Sequence, residues 1–212
     1  MKDYMIHQNI KRNLDDYGVS ITINKIVGNI FKPIYFHNVY RVYGIVLESA
    51  KSGCDSRNNF NFVLLNKNDH KFIHQIEHME EWLYGRLMKK LSAGGLCMVA
   101  LDNDRVAAFN LVAFGSVYLP LVEMNKQLKP DEAWSEQITV QKDYRKRGLA
   151  SEIRYQVFNV LKQRGIKSFY GAALIKNTGQ LKLARRVGFA ELKDIYFYKV
   201  LGRRSWKYKG LE

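Results

Sequence analysis

Residues able to do chemistry are densest between Ile138 and Ala150. Ile138-Thr139-Val140 reads as a strand, and Arg145-Lys146-Arg147-Gly148-Leu149-Ala150 opens a helix. The first N–H groups of a helix have no intrahelical partner and carry partial positive charge. A glycine there lets backbone approach a bound anion closely. Three cations beside the positive end of a helix are locally unfavourable unless an anion joins them. The stretch therefore reads as a cradle for phosphate or pyrophosphate, against the plainer reading of a solvated helix start with a turn glycine. A second constellation, His74-Gln75-Ile76-Glu77-His78, has the H-x-x-E-H spacing of a zinc-peptidase helix, with His70 four residues earlier. Such a site needs a further ligand from elsewhere and a different fold, so no metal is expected.

The elements around these residues follow from periodicity. Ser20 to Lys25 alternates polar and apolar, and Tyr35-Phe36 and Val39 to Leu47 are rich in aromatic and β-branched residues, as strands are. Residues 50–60 read as a linker containing Cys54. Phe62 to Leu65 is a short apolar run. Asn68 or Asp69 offers a cap for one helix along which Phe72, Ile73, Ile76, Met79, Leu83, Leu87 and Leu91 recur. Strands are expected at Leu96–Leu101, Val106–Val112, Val117–Val122, Glu136–Val140, Ser168–Leu174 and Ile195–Leu201. Helices are expected after Gly148 and over Leu181–Val187. From residue 61 the order is β-α-β-β-β-α-β-α-β. This is an α/β (α+β) fold, a mixed central sheet with helices on both faces, preceded by a β-rich extension. The expected division is an accessory segment at 1–60, packing on the main domain, and a main domain at 61–212.

Composition narrows the classes. The 212 residues include 3 prolines and 2 cysteines, with a hydrophobic share of 47%. That excludes a low-complexity chain and a disulfide framework, and the expected compartment is the reducing cytoplasm. No apolar run is long enough to span a membrane. The net charge of +14 is concentrated in the last third, where 18 basic residues face 5 acidic ones. Such a field attracts phosphates, anionic lipid, nucleic acid or an acidic protein. The tail Gly202–Lys209 alternates cations with aromatics, a pattern compatible with nucleic-acid contact but commoner in a solvated terminus, so nucleic acid is disfavoured as a partner. Cys97 lies among Leu96, Met98 and Val99 and reads as core. Trp134 and Tyr170 suit either core or the wall of a substrate pocket.

The run Val140-x-x-x-x-Arg145-x-x-Gly148-x-Ala150 resembles the acyl-CoA-binding signature of the GCN5-related N-acetyltransferase superfamily. Asn177 followed by a helix and Val187-Gly188-Phe189 is similar to that family's Asn…Leu-Gly-Phe segment. The Leu96–Val112 hairpin and the element order also match, so the resemblance covers residues 61–200.

The resemblance implies acyl transfer from an acyl-CoA, acetyl-CoA first, to a primary amine of a small molecule or peptide. Attack would be direct, through a tetrahedral intermediate. Arg145, Lys146, Arg147, Gly148, Leu149 and Ala150 would wrap the pyrophosphate. Backbone groups of Ile138 and Val140, on a splayed strand, would pair with the pantetheine arm, and an N–H there would hold the developing oxyanion. Asn177 would contact the coenzyme. Lys182, Arg185 or Arg186 are candidates for its 3′-phosphate. An amine of pKa about 10.4 must lose a proton before it attacks. Glu136, four residues before Val140 and expected on the same strand face as Ile138 and Val140, is the candidate general base; the plainer reading is an ion-paired strand glutamate. The family's acid tyrosine is Ala184 here, and an alternative glutamate position is Ala172. The segment after Phe189 is short for the last two strands of the family.

Two further functions fit the same residues. One is an N-acyltransferase taking longer chains from acyl-CoA or from an acyl carrier protein, whose acidity suits the basic third. The other is a non-catalytic module that binds acyl-CoA or nucleic acid. An exposed strand within residues 19–49 would suit a homodimer.

Overall fold

The structure is a computed structural model that describes residues 35–50, 60–80 and 83–211. The expected strand at Ser20–Lys25 and most of the 50–60 linker with Cys54 lie outside the described residues. By its contacts the chain divides into a larger unit, 40–195 with 208–212, and a smaller one comprising 1–39 and 196–207. In the described part of the smaller unit, Phe36 meets Phe197 edge-on, His37 stacks on Tyr198, and Phe197 packs on Trp206.

The strands are β1 (Tyr35–Val46), β2 (Asn61–Leu65), β3 (Leu96–Asp102), β4 (Arg105–Ala113), β5 (Ser116–Leu119), β6 (Met124–Gln127), β7 (Glu132–Val140), β8 (Ser168–Leu174), β9 (Ala190–Val200) and β10 (Arg203–Gly210). The helices are α1 (His70–Met79), α2 (Tyr84–Ser92), α3 (Leu149–Gln163) and α4 (Thr178–Arg186). Eight strands form one mixed sheet in the order β10-β9-β1-β8-β7-β4-β3-β2, while β5 and β6 form a separate hairpin.

The larger unit buries an apolar layer on each face of the sheet. One layer joins Ile73, Ile76, Leu83 and Leu87 of the α1–α2 region to Cys97, Val99, Phe109 and Leu111. The other joins Leu149, Ile153, Val157 and Leu161 of α3 to Met98, Ala108 and Val112, with Leu181 and Ala184 of α4. Cys97 is fully buried, which pushes its thiol well above the usual range.

Several expectations are corrected. The single helix through Leu91 is two helices, because α1 ends at Met79 and Glu80 leaves the helical region at φ −148°. The apolar positions explain the break. Met79, Leu83, Leu87 and Leu91 recur every four residues, which on a continuous helix would drift by about 40° a step away from the core. The end of the chain is not curtailed: β9 has 11 residues and β10 a further 8. The strand expected around Tyr35–Leu47 forms as β1, Tyr35–Val46, between β9 and β8. Tyr40 to Val46 pairs antiparallel with β8, in register from Tyr40↔Leu174 to Val46↔Ser168.

That β1–β8 pairing is unusually close. A Cβ at Gly171 would come within 2.6 Å of the Tyr43 ring, and one at Gly44 within 2.7 Å of the Tyr170 ring. Each strand lays a tyrosine over the other's glycine. Arg41 ties β1 to β9 through Asp194 at 2.8 Å and Glu191 at 2.7 Å.

Candidate active site

The site is built where two parallel strands part. β7 and β8 pair from Glu132↔Ser168 to Ser135↔Gly171 and no further. Beyond that point Gln137 to Val140 pairs with β4, while Ala172 to Leu174 pairs with β1. The facing edges of Glu136–Val140 and Ala172–Leu174 have no strand partner among the described residues. An extended amide chain can use such edges as a further strand would.

A bulge causes the parting. The β4–β7 register shifts between Leu111↔Gln137 and Val112↔Ser135, so Glu136 is the extra residue. Asn110, fully buried within the apolar run Val106–Ala113, holds it. Its Nδ2 donates to the Gln137 carbonyl at 2.8 Å and to the Ser135 hydroxyl at 3.2 Å.

The bulge also reverses an expectation. Ile138 and Val140 pack against the α3–α4 layer. Glu136 faces α2, where its side chain is 1% exposed and meets Arg86 Nε at 3.0 Å and Lys90 Nζ at 2.8 Å. Glu136 therefore does not share a face with Ile138 and Val140. The extra residue breaks the period-two alternation on which that expectation rests. The two cations differ. Arg86 donates a well-formed hydrogen bond to Oε2. Lys90 lies close to Oε1 without hydrogen-bond geometry and also reaches the Ser116 carbonyl at 3.4 Å.

The Arg145–Ala150 turn lies at the end of β7. Lys142–Tyr144 forms one 3-10 turn, anchored by the Tyr144 hydroxyl donating to Asp102 at 2.9 Å. Arg145 Nε donates to the Val140 carbonyl at 3.2 Å, and Arg147 lies over the Tyr144 ring. Lys146 and Gly148 both have positive φ, 66° and 86°, which turns the chain sharply into α3. The first bonds of α3 run from the Ser151 and Glu152 N–H groups to the Gly148 carbonyl. The N–H groups of Gly148, Leu149 and Ala150 thus precede the helical ladder, on an exposed turn whose four residues Arg145–Gly148 all face solvent. A Cβ at Gly148 would meet only Glu152 Oε1, at 3.9 Å. The donor set fits a phosphate or pyrophosphate.

The remaining candidates are scattered. Asn177 caps α4, its Oδ1 accepting from the Gln180 N–H at 3.1 Å. Lys182, Arg185 and Arg186 are all exposed on that helix, and Arg185 is paired with Glu191. His74 meets Glu77 at 3.1 Å and stacks on Tyr84. Among the described residues no group of three or more His, Cys, Asp or Glu side chains is placed to hold a metal. No helix among the described residues is long and apolar enough to cross a membrane.

Sequence reasoning did not single out Arg86, Lys90, Lys126 or Asn110. A lone asparagine in Ala107-Ala108-Phe109-Asn110-Leu111-Val112 was a usable signal, because a buried amide must find partners. Arg86 and Lys90 stand four apart on a helix and so share a face, but spacing alone does not reveal the carboxylate between them.

A model described as the acetyltransferase (GNAT) family matches residues 61–189. No curated protein sequence matches the chain significantly. Solved structures share its fold. A Drosophila protein superposes with a TM-score of 0.56 at 12% identity, over 88% of this chain and 59% of that one. A GCN5-related N-acetyltransferase from Sphaerobacter thermophilus gives 0.57 at 16% identity, over 89% and 58%. A GNAT-family protein from Novosphingobium aromaticivorans gives 0.54 at 16% identity, over 85% and 69%. The chain thus spans less than two thirds of the length of the first two.

Proposed function

Because the chain belongs to the acetyltransferase (GNAT) family, we propose that it transfers an acetyl group from acetyl-CoA to a primary amine of a small molecule or peptide. The observation that carries this reading is the fork at Ser135 and Gly171, where the edge of β7 that parts from β8 leads into the cationic turn at Arg145–Ala150. The turn would hold the pyrophosphate through the N–H groups of Gly148, Leu149 and Ala150, with Arg145 and Lys146 adding charge. Asn177 would border the coenzyme from the start of α4.

The edge of Glu136–Val140 would take the pantetheine amides. An N–H near Ile138 or Val140 would stabilise the oxygen that becomes negative when the amine nitrogen bonds the acyl carbon. The C–S bond then breaks, and the thiolate leaves. With Ala184 in place of a tyrosine, the thiolate, of pKa about 8.5, departs without a fixed acid.

Glu136 is assigned as the base, on the acceptor's side of the fork. Both its oxygens are held by cations, so it receives a proton only after the acceptor's ammonium takes the place of Lys90. Lys90 is suited to that exchange: its side chain is 18% exposed and it lacks hydrogen-bond geometry to Oε1. Arg86 would keep the carboxylate in place throughout.

The test is a thermal-shift titration with acetyl-CoA, longer acyl-CoAs and free CoA, followed by thiol-release assays with a panel of amines. A melting temperature that rises with acetyl-CoA, and thiol release that depends on an amine, supports the proposal. A rise confined to longer chains replaces acetyl by a longer acyl group. No rise with any coenzyme overturns the reading.

A further inference from the structure

We infer that Trp134, Tyr170 and Lys126 form a cation site beside the fork, in which the Lys126 ammonium occupies the place of a second positive charge on the acceptor. The inference rests on the proposed acyl transfer for its choice of acceptor. Its physical basis is independent of turnover.

Trp134 and Tyr170 are directly opposite one another on β7 and β8, one pair before the strands part at Ser135 and Gly171. Lys126 Nζ, from the β5–β6 hairpin, lies 5.9 Å from the Trp134 ring centroid and 5.3 Å from that of Tyr170. Two aromatic faces attract an ammonium through their quadrupoles, and more strongly where water is excluded. Trp134 is 3% exposed, while Tyr170 and Lys126 are half-buried, so the site is dry on one side and reachable on the other.

Two other cations on this side of the sheet, Arg86 and Lys90, share the single carboxylate of Glu136. Lys126 has no ion pair with any described residue; the two rings hold its charge. The hairpin that carries it is joined to α2 by Lys90 and the Ser116 carbonyl. The rings and Glu136 are therefore neighbours along β7. Glu136 suits the amine that reacts, and the rings suit a second ammonium on the same molecule. A hairpin lysine can leave the rings by rotating its side chain, without moving the sheet. The acceptor class is then a diamine or a larger polycation, and Lys126 competes with it.

The probe pair is 1,4-diaminobutane and 4-aminobutan-1-ol, which differ by one ammonium. The variants are Lys126→Met, which keeps the length of the side chain without its charge, and Tyr170→Leu. Calorimetric titration of the full chain is expected to show Lys126→Met binding the diamine at least tenfold more tightly than the unsubstituted chain does, with the amino alcohol unchanged. Tyr170→Leu in the Lys126→Met background is expected to remove the preference. Equal affinity of the two probes for Lys126→Met overturns the inference, as does weaker diamine binding than in the unsubstituted chain. If the diamine preference is present but no amine releases thiol from acetyl-CoA, the acyl-transfer reading fails while the cation site stands. If thiol is released at equal kcat/KM for both probes, the cation site fails while acyl transfer stands.

Discussion

Glu136 and Ile138 stand two residues apart on one strand and face opposite sides of the sheet. Ile138 packs toward α3 and α4, whereas Glu136 is locked between Arg86 and Lys90 of α2. The bulge that separates them divides the site into two sides. The coenzyme's phosphates would be bound where α3 begins, and the amine would meet the carboxylate on the α2 side.

Replacing Glu136 by Gln tests that division. If the carboxylate receives the proton, kcat falls by roughly 10² or more, the usual weight of a general base. The substitution also leaves two cations facing a neutral amide, at a cost of about 3 kcal/mol, the lower end for a broken buried pair because both cations retain some exposure. Rates are compared at saturating acetyl-CoA and below the variant's melting temperature. Unchanged kcat would leave Glu136 as a structural ion pair.

Gly148→Glu tests the cradle. Space is available, since a Cβ there meets nothing closer than 3.9 Å. The cost of a side chain at φ 86° is about 1–2 kcal/mol of conformational strain. The larger effect is electrostatic, because a carboxylate is placed where a phosphate would bind. The thermal shift with acetyl-CoA is expected to vanish, while the free protein's melting temperature falls by only a few degrees.

Asn110→Leu removes the amide that holds the bulge. The Gln137 carbonyl loses its 2.8 Å partner, which predicts about 1–3 kcal/mol of destabilisation. If the bulge relaxes, Glu136 also moves away from Lys90. Denaturant unfolding reads the first effect. A raised KM for acetyl-CoA, beyond what lost stability explains, reads the second.

Alkaline pH tests the burial of Tyr40. Burial, with a smaller contribution from Tyr43, raises its phenol to about 12, and Arg86 opposes the rise. In the unfolded chain the phenol ionises near its ordinary value of about 10. Below pH 10 both states are protonated and this contribution to stability is intact. It is lost between about pH 10 and 12, as the unfolded state releases its proton first. Two units correspond to about 2.7 kcal/mol at most. Tyr40→Phe is expected to flatten the stability curve over that interval; an unaltered slope would show that Tyr40 is not the group responsible.

Local chemistry made much of this site legible. Arg145-Lys146-Arg147-Gly148 announced a turn into a helix, and the structure builds that turn. β8 spans the residues expected of it. What escaped depends on contacts distant in sequence. The alternation along β7 hides the bulge because the amide that holds it is on β4. The apolar positions from Phe72 to Leu91 read as one helix, and only the drift of the four-residue recurrence from Met79 onward hints at the two that form. Residues 203–210 contain three arginines or lysines within their first five positions, a composition that disguises a strand. Tyr43 and Gly171, each unremarkable alone, are an interlocked pair only once β1 lies beside β8.

The position of β1 also has a consequence for biosynthesis. It leaves the ribosome before its partner β8, with the whole of residues 47–167 translated in between. Throughout that interval a strand containing Tyr40, Val42 and Tyr43 has no native neighbour on that edge. The inner part of the sheet closes late, so a chain stalled before residue 168 would expose a sticky aromatic edge to chaperones and to other nascent chains.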